Sequence, residues 1–244
     1  MTGASDELFA HRTCSAPAER SARMRDIAVR HTPARPGVRI LDVGCGTGSL
    51  VFELAAARPD AFITGIDVSD ANIQTALVRL ASSRHGNRVS FQQADYLTLV
   101  AQPFDVLVTD GVLHLIPGST SALFAKLARD LVPGGVLVCA MPYDCAYNRA
   151  FALVRRALRR IRGPATDAGI LALARMLHGR EMDEDKLRER VHYMYIAPTR
   201  LETRSLTEDI GPAAGLRAIA QYPMPSTSPS QLKHRVTVFE KRAS

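Results

Sequence analysis

Apolar residues in this chain fall into short continuous runs separated by longer segments where they recur every three to four positions. The runs at 38–43, 61–66, 89–93, 104–109 and 136–141 have strand length, and the fourth is apolar at nearly every position, as a strand buried on both faces requires. Segment 48–57 carries leucine, valine and alanine at helical spacing and stops at Arg58-Pro59-Asp60. Segment 69–83 opens on a capping Ser69, sets Ile73, Ala76, Leu77 and Leu80 on one face, and ends at His85-Gly86-Asn87. A third helix over about 121–131 closes on Pro133-Gly134-Gly135. Strands alternating with helices predict a parallel sheet covered on both faces. Two later runs, 217–222 and 235–240, are joined by a proline- and serine-rich loop too short for a crossover helix, so that pair is expected to be antiparallel.

Two segments fall outside the alternation. The stretch to about residue 31 holds one predicted helix, opened by Pro17 at a favoured first-turn position. The other, 143–199, interrupts the chain after the fifth strand. With 244 residues and 46% hydrophobic content, the chain is expected to build one domain with embellishments. No apolar stretch reaches the roughly 20 residues that span a bilayer, and no leader is expected at the start, so a soluble, cytoplasmic protein is expected. Cys14, Cys45, Cys139 and Cys145 form no CxxC pair and stand near no histidine at zinc-ligand spacing, so reduced thiols and no metal site are expected. The net charge of +7 suits an anionic partner but is common among enzymes from arginine-rich genomes.

Candidate chemistry gathers where the first strand gives way to the first helix, at Leu41-Asp42-Val43-Gly44-Cys45-Gly46-Thr47-Gly48. Glycines there let the backbone turn tightly and let a nucleotide-like ligand approach where side chains would collide. Asp67 ends the second strand about 20 residues on, where a carboxylate accepts from ribose hydroxyls. Asp95 follows the third strand, where an acid can accept from an adenine amino group. A dinucleotide fingerprint would need glycine at position 49, which is Ser49, and no lysine follows as in a loop that holds triphosphates.

These residues give the chain a resemblance to class I S-adenosylmethionine-dependent methyltransferases. LDVGCGTG looks like their first motif, GIDVS like the ribose-binding second strand and QADY like the adenine-binding segment; FDVLVTDGVLHLIP and LVPGGVLVCAMP look like the fourth and fifth strands. The resemblance implies an α/β, doubly wound, seven-stranded Rossmann-like sheet of order 3-2-1-4-5-7-6 with the last strand antiparallel. It also implies S-adenosylmethionine as cofactor and S-adenosylhomocysteine as product. The single domain would then comprise an N-terminal lid helix (1–32), a cofactor-binding core (33–142), a substrate cap (143–199) and the final strands (200–244). Carried over residue by residue, Gly44, Gly46 and Gly48 line the methionine part and Asp42 holds the loop. Asp67 with Val68 takes the ribose, and Asp95 with Tyr96 the adenine. Asp110 and Gly111 stand beside the amino-acid portion, the alternative for Asp110 being a plain strand-end cap.

A sulfonium is already an activated methyl donor, so the enzyme chiefly aligns an acceptor and excludes water. An alcohol, phenol or ammonium acceptor must also lose a proton, and His114 is the leading candidate base, with Tyr143 and Asp144 as further candidates. The alternative for His114 is packing within its loop.

In the insertion, Phe151, Val154, Leu158 and Ile161 recur at helical spacing between Arg155, Arg156, Arg159, Arg160 and Arg162, a basic amphipathic helix. The expected reading is a cap helix with its apolar stripe over the acceptor pocket and its arginines in water. The alternative is a landing site for an acidic carrier protein, an acidic substrate or a membrane surface. Tyr193 and Tyr195, in His192-Tyr193-Met194-Tyr195, are candidate pocket residues, the equal alternative being a strand edge of the cap. With 6% aromatic residues and no tryptophan, a stacking platform for nucleic-acid bases is not expected, and a small-molecule acceptor of specialised metabolism is favoured. The similarity of Leu115-Ile116-Pro117 and Ala140-Met141-Pro142 to trans-aconitate-type carboxyl methyltransferases implies a carboxylate acceptor as one alternative. A nucleic-acid methyltransferase and a cofactor-binding regulatory module are the others.

Overall fold

The computed structural model describes residues 17–178, 187, 191–225 and 231–243. Cys14 lies outside them. The chain separates into two compact units, one built from Met1–Tyr143 with Arg200–Ser244 and the other from Asp144–Thr199.

In the first unit, α1 (Ala18–His31) precedes β1 (Arg39–Val43), α2 (Ser49–Ala57), β2 (Phe62–Asp67), α3 (Asp70–Ala81), β3 (Val89–Gln93), β4 (Phe104–Asp110), α4 (Thr120–Arg129) and β5 (Leu131–Pro142). After the insertion come β6 (Leu216–Met224) and β7 (His234–Lys241). The strands form one seven-stranded sheet in the order β3-β2-β1-β4-β5-β7-β6. Neighbours among β1 to β5 are parallel, whereas β7 runs antiparallel to both β5 and β6.

The alternation of side chains along a strand divides the core in two. Ile40, Val106, Val108, Val136 and Val138 point to one face and meet Met24 and Ile27 of α1 and Leu50, Val51 and Leu54 of α2. Leu41, Val43, Leu107, Leu137 and Cys139 point to the other and meet Leu123, Phe124 and Leu127 of α4. There Phe124 stands edge-on to Phe239 of β7 at 5.6 Å, a geometry that adds about 0.5–1.5 kcal/mol to the burial itself. Side-chain caps start two of the helices: Ser69 Oγ accepts from the Asn72 amide before α3, and Ser119 Oγ from the Ala122 amide before α4.

Two expectations change here. The N-terminal helix packs Met24, Ile27 and Ala28 into the first core, and Pro17 is its N-cap, not a first-turn residue. The fifth strand begins before the Pro133-Gly134-Gly135 cluster, because Leu131 already pairs with Phe104. The glycines are absorbed as an irregularity, Gly134 adopting φ +73°.

The second unit contains α5 (Ala146–Arg160) and α6 (Pro164–His178). The expected polarity of α5 is corrected at both ends of its logic. Arg155 is 9% exposed, while Val154 and Ile161 are 48% and 64% exposed. Arg155 can turn inward because Nη1 donates to the Ile196 carbonyl at 3.0 Å and the guanidinium lies 4.8 Å from the Phe151 ring centre. Tyr195 is likewise internal to this unit, its hydroxyl bonded to the Asp167 carboxylate and its ring beneath Arg162.

Candidate functional site

Strand order reverses between β1 and β4, which opens a crevice outside their carboxyl ends. The Gly44–Gly48 turn lies there, between β1 and α2, with Gly44, Gly46 and Gly48 at φ +75°, +54° and +82°. At Gly44 the requirement is also steric. A β-carbon would come within 2.4 Å of Val112 Cγ2, so only glycine lets the loops after β1 and β4 meet. The turn is tied to β2 by the Gly44 and Cys45 amides, which donate to the Ile66 carbonyl at 2.8 and 2.9 Å.

Asp67 anchors the same turn. Its carboxylate accepts from the Gly46 amide at 2.9 Å, the Ser69 amide at 2.9 Å and Asn72 Nδ2 at 3.2 Å. Val68 follows, its carbonyl accepting from Gln93 Nε2. Asp95 is exposed and holds a turn after β3 by accepting from the Leu97 amide at 2.8 Å. The Tyr96 side chain is buried in the second core beneath Lys126 of α4, where burial pushes the phenol up, so it is the main chain of Tyr96 that stands beside Asp95.

Electrostatics single out Asp42. Burial, with Asp110 and Asp67 as negative neighbours, pushes its carboxyl well above the ordinary range. Acids from the ends of β1, β2 and β4 therefore share one field, suited to a cationic ligand. Asp110 is engaged by Arg20 of α1, whose Nε lies 2.8 Å from both carboxylate oxygens. The same guanidinium reaches Gly111, at φ +72°, where a β-carbon would stand 3.6 Å from Arg20 Nη2 and 3.9 Å from His234 Nε2.

His234 opens β7 opposite Pro142 of β5. Its Nδ1 lies 2.7 Å from the Leu232 carbonyl oxygen, which can only accept, so Nδ1 carries a proton and Nε2 the lone pair in the neutral ring. His114, buried in the loop after β4, stands edge-on to His234 with ring centres 5.7 Å apart. Arg200 braces that loop by donating to the Leu113 and Gly118 carbonyls at 2.6 and 2.8 Å.

The structure thus brings His114 together with Asp110, Gly111 and three residues the sequence did not point to: Arg20, His234 and the brace Arg200. Asn72 behind Asp67 was likewise missed. Only the S-x-x-N capping spacing of Ser69 and Asn72 offered a signal for any of them. Tyr143 takes a different position. It follows β5, bridged to Glu202, with its ring 4.8 Å beneath the Arg235 guanidinium, and strand alternation turns Arg235 to the sheet face opposite His234. Asp144, in the second unit, is paired with Arg149, which holds its carboxyl below the usual range, the reverse of what a general base needs.

Residues 34–186 match the family model described as a methyltransferase domain, and the chain belongs to that family, the class I S-adenosylmethionine-dependent methyltransferases. Among curated relatives it is 35% identical over 157 residues to trans-aconitate 2-methyltransferase of Methylobacterium nodulans, covering 64% of this chain and 56% of that one. The chain spans about half the length of the curated relatives it matches. Among solved structures, magnesium protoporphyrin IX methyltransferase from Synechocystis PCC 6803 with bound SAH aligns with a TM-score of 0.61 and 15% identity, over 92% of this chain and 83% of that one. The [4+2]-cyclase SpnF aligns at 0.62 and 17% identity, over 97% and 86%. A methyltransferase and a cyclase on one scaffold show that the sheet alone does not fix the reaction.

Proposed function

We propose that this chain transfers a methyl group from S-adenosylmethionine to a hydroxyl or amine of a small organic acceptor. The observation that carries this reading is the meeting, at the β1/β4 switch point, of an acidic, glycine-lined crevice with the His114–His234 pair. Bound there, the cofactor supplies a methyl group on a positively charged sulfur. The residues present fit such a ligand. Gly44, Gly46 and Gly48 leave room for its amino-acid portion, and Asp67 supplies negative potential for its cationic groups, joined by Asp42 once a bound cation displaces its proton. Asp67 and Asp95 would take the ribose hydroxyls and the adenine amine. Gly111 leaves space beside the imidazoles, and His234 Nε2 would take the acceptor's proton, with His114 packed against it.

A carboxylate acceptor, suggested by the name of the trans-aconitate relatives, would need no base and leaves the histidine pair without a task. Buried Cys45 and Cys139, both free thiols pushed up by burial, fit a reducing cytoplasm. The test is titration calorimetry with S-adenosylmethionine and S-adenosylhomocysteine, followed by transfer of a labelled methyl to a panel of phenols, amines and carboxylic acids. Binding without transfer to any hydroxyl or amine, together with transfer to carboxylates, would overturn the acceptor class. Absence of cofactor binding would overturn the whole reading.

A further inference from the structure

α5 buries Asn148, Ala152 and Arg155, three positions that share one face at helical spacing. The opposite face carries Ala150, Leu153, Val154, Ala157 and Ile161, all exposed, with Leu153 at 62%. Along one flank of that stripe run Arg149, Arg156 and Arg160, again at helical spacing, while Arg159, four residues after Arg155, falls on the side of the buried positions. Arg149 is paired with Asp144, but Arg156, Arg159 and Arg160 meet no acidic side chain among the described residues. α6 of the same unit adds exposed Leu173 and Met176.

A helix packed only for life in water directs its aliphatic stripe inward. Here the buried positions are small or polar, Arg155 among them held by a carbonyl and an aromatic ring, while the aliphatic stripe lies outside with Arg156 and Arg160 beside it. That combination matches an interface offering an apolar layer beneath a sheet of anions. We propose that the outer face of α5 lies on an anionic lipid surface, with Leu153, Val154 and Ile161 at the acyl boundary and Arg156 and Arg160 among the headgroup phosphates.

The competing occupants fit less well. An acidic protein surface would neutralise the arginines but leave the aliphatic stripe unsatisfied, and a second copy of this chain would bring the same arginines against each other. Contact with lipid would be peripheral, since no helix among the described residues is long and apolar enough to cross a membrane. The inference stands independently of the methyl-transfer reading.

The chain contains no tryptophan, so a single introduced one reports its own surroundings without background. The experiment uses the full chain with vesicles of phosphatidylcholine alone and of phosphatidylcholine carrying roughly one-third phosphatidylglycerol. The wild type should float with the anionic vesicles, not the neutral ones, and added salt should release it. Tryptophan emission from Leu153→Trp, and separately from Ile161→Trp, should shift to the blue and become shielded from iodide on the anionic vesicles. The double variant Arg156→Gln, Arg160→Gln should lose roughly 10- to 30-fold in partitioning. Leu153→Glu with Ile161→Glu should also release the protein, although every arginine is kept. Circular dichroism and retained S-adenosylhomocysteine affinity check that each variant is folded. Failure of the wild type to float overturns the proposal. So does flotation in which neither tryptophan responds, which would mean plain charge attraction, and so does self-association through this face without vesicle binding.

Discussion

His234 stands edge-on to His114 across the carboxyl edge of the sheet, its proton fixed on Nδ1 by the Leu232 carbonyl and its Nε2 turned toward Gly111. A residue held in one tautomer by a main-chain acceptor is preset for taking up a proton at the other nitrogen. If this pair serves an acceptor that must shed a proton, His234→Gln should lower kcat by roughly 100-fold or more, and His114→Ala by at least about tenfold, with cofactor affinity nearly unchanged. Steady-state kinetics with the acceptor found in the panel, alongside calorimetry, checks both. An undiminished kcat for His234→Gln would reduce the pair to packing.

Asp67 anchors the glycine turn in this structure, and in the proposed reading it also takes the cofactor's ribose, so its removal should show both. Asp67→Ala deletes three hydrogen bonds that join the glycine turn to the start of α3, so the protein without cofactor should lose about 1–3 kcal/mol of stability. Affinity for S-adenosylhomocysteine should fall at least about tenfold, on the scale of charged hydrogen bonds to ribose. Urea unfolding and calorimetry separate the two. Unchanged affinity in a folded variant would leave Asp67 a loop anchor only.

Asp42 should make cofactor binding dependent on pH. Because its folded-state affinity for a proton is raised, that proton stabilises the cofactor-free fold in acid, and the contribution is lost as pH rises through the folded pKa. A positive charge arriving in the crevice favours the carboxylate, so S-adenosylmethionine should release a proton on binding and bind more tightly as pH increases. S-adenosylhomocysteine, with one positive charge fewer, should show a weaker dependence. Calorimetry in two buffers of different ionisation heat reads the proton directly, and identical apparent enthalpies would rule the coupling out. Asp42→Asn should abolish it.

The sheet was legible in the sequence because each strand carries its own alternation or apolar run and the glycine turn marks where β1 ends. β5 was cut short for a local reason: Pro133-Gly134-Gly135 reads as punctuation, and only pairing with β4 shows the strand continuing through it. Asp67 and Asp42 could be read from their places at strand ends. His234 and Arg20 could not. Position 234 reaches Gly111 through the antiparallel register of β7 on β5, and Arg20 meets Asp110 through the docking of α1, so both depend on long-range pairing that no local motif encodes. Arg155 misled the reading for the same reason. Its inward turn depends on the Ile196 carbonyl, far along the chain.

Glu202 offers a test that needs no acceptor. It is buried beside β7, where Oε1 accepts from Thr237 at 2.7 Å and Gln221 at 3.1 Å, and burial raises its pKa despite Arg235 at 3.7 Å. A raised carboxyl stabilises the fold while protonated, below its unfolded pKa, and loses that contribution as pH climbs through the folded value. Glu202→Gln keeps both accepted bonds without the charge, so it should be more stable than the wild type by roughly 1 kcal/mol at pH 8, with the difference shrinking toward acid. Thermal melts across that range check the sign, and a destabilised variant at pH 8 would show that the ion pair with Arg235 outweighs burial.

The chain leaves the first unit at Tyr143 and is back beside that point by Glu202, whose amide donates to the Pro142 carbonyl at 2.8 Å, while Arg200 is already fastened to the loop after β4. The whole insertion, Asp144–Thr199, therefore hangs from a closed neck. Since the entropy of closing a loop grows only with the logarithm of its length, segments of very different size can be spliced into such a neck at little cost to the sheet. The neck is a natural grafting point. What lies between residues 143 and 200 can therefore differ in size and surface while the strand ends on either side keep their pairing.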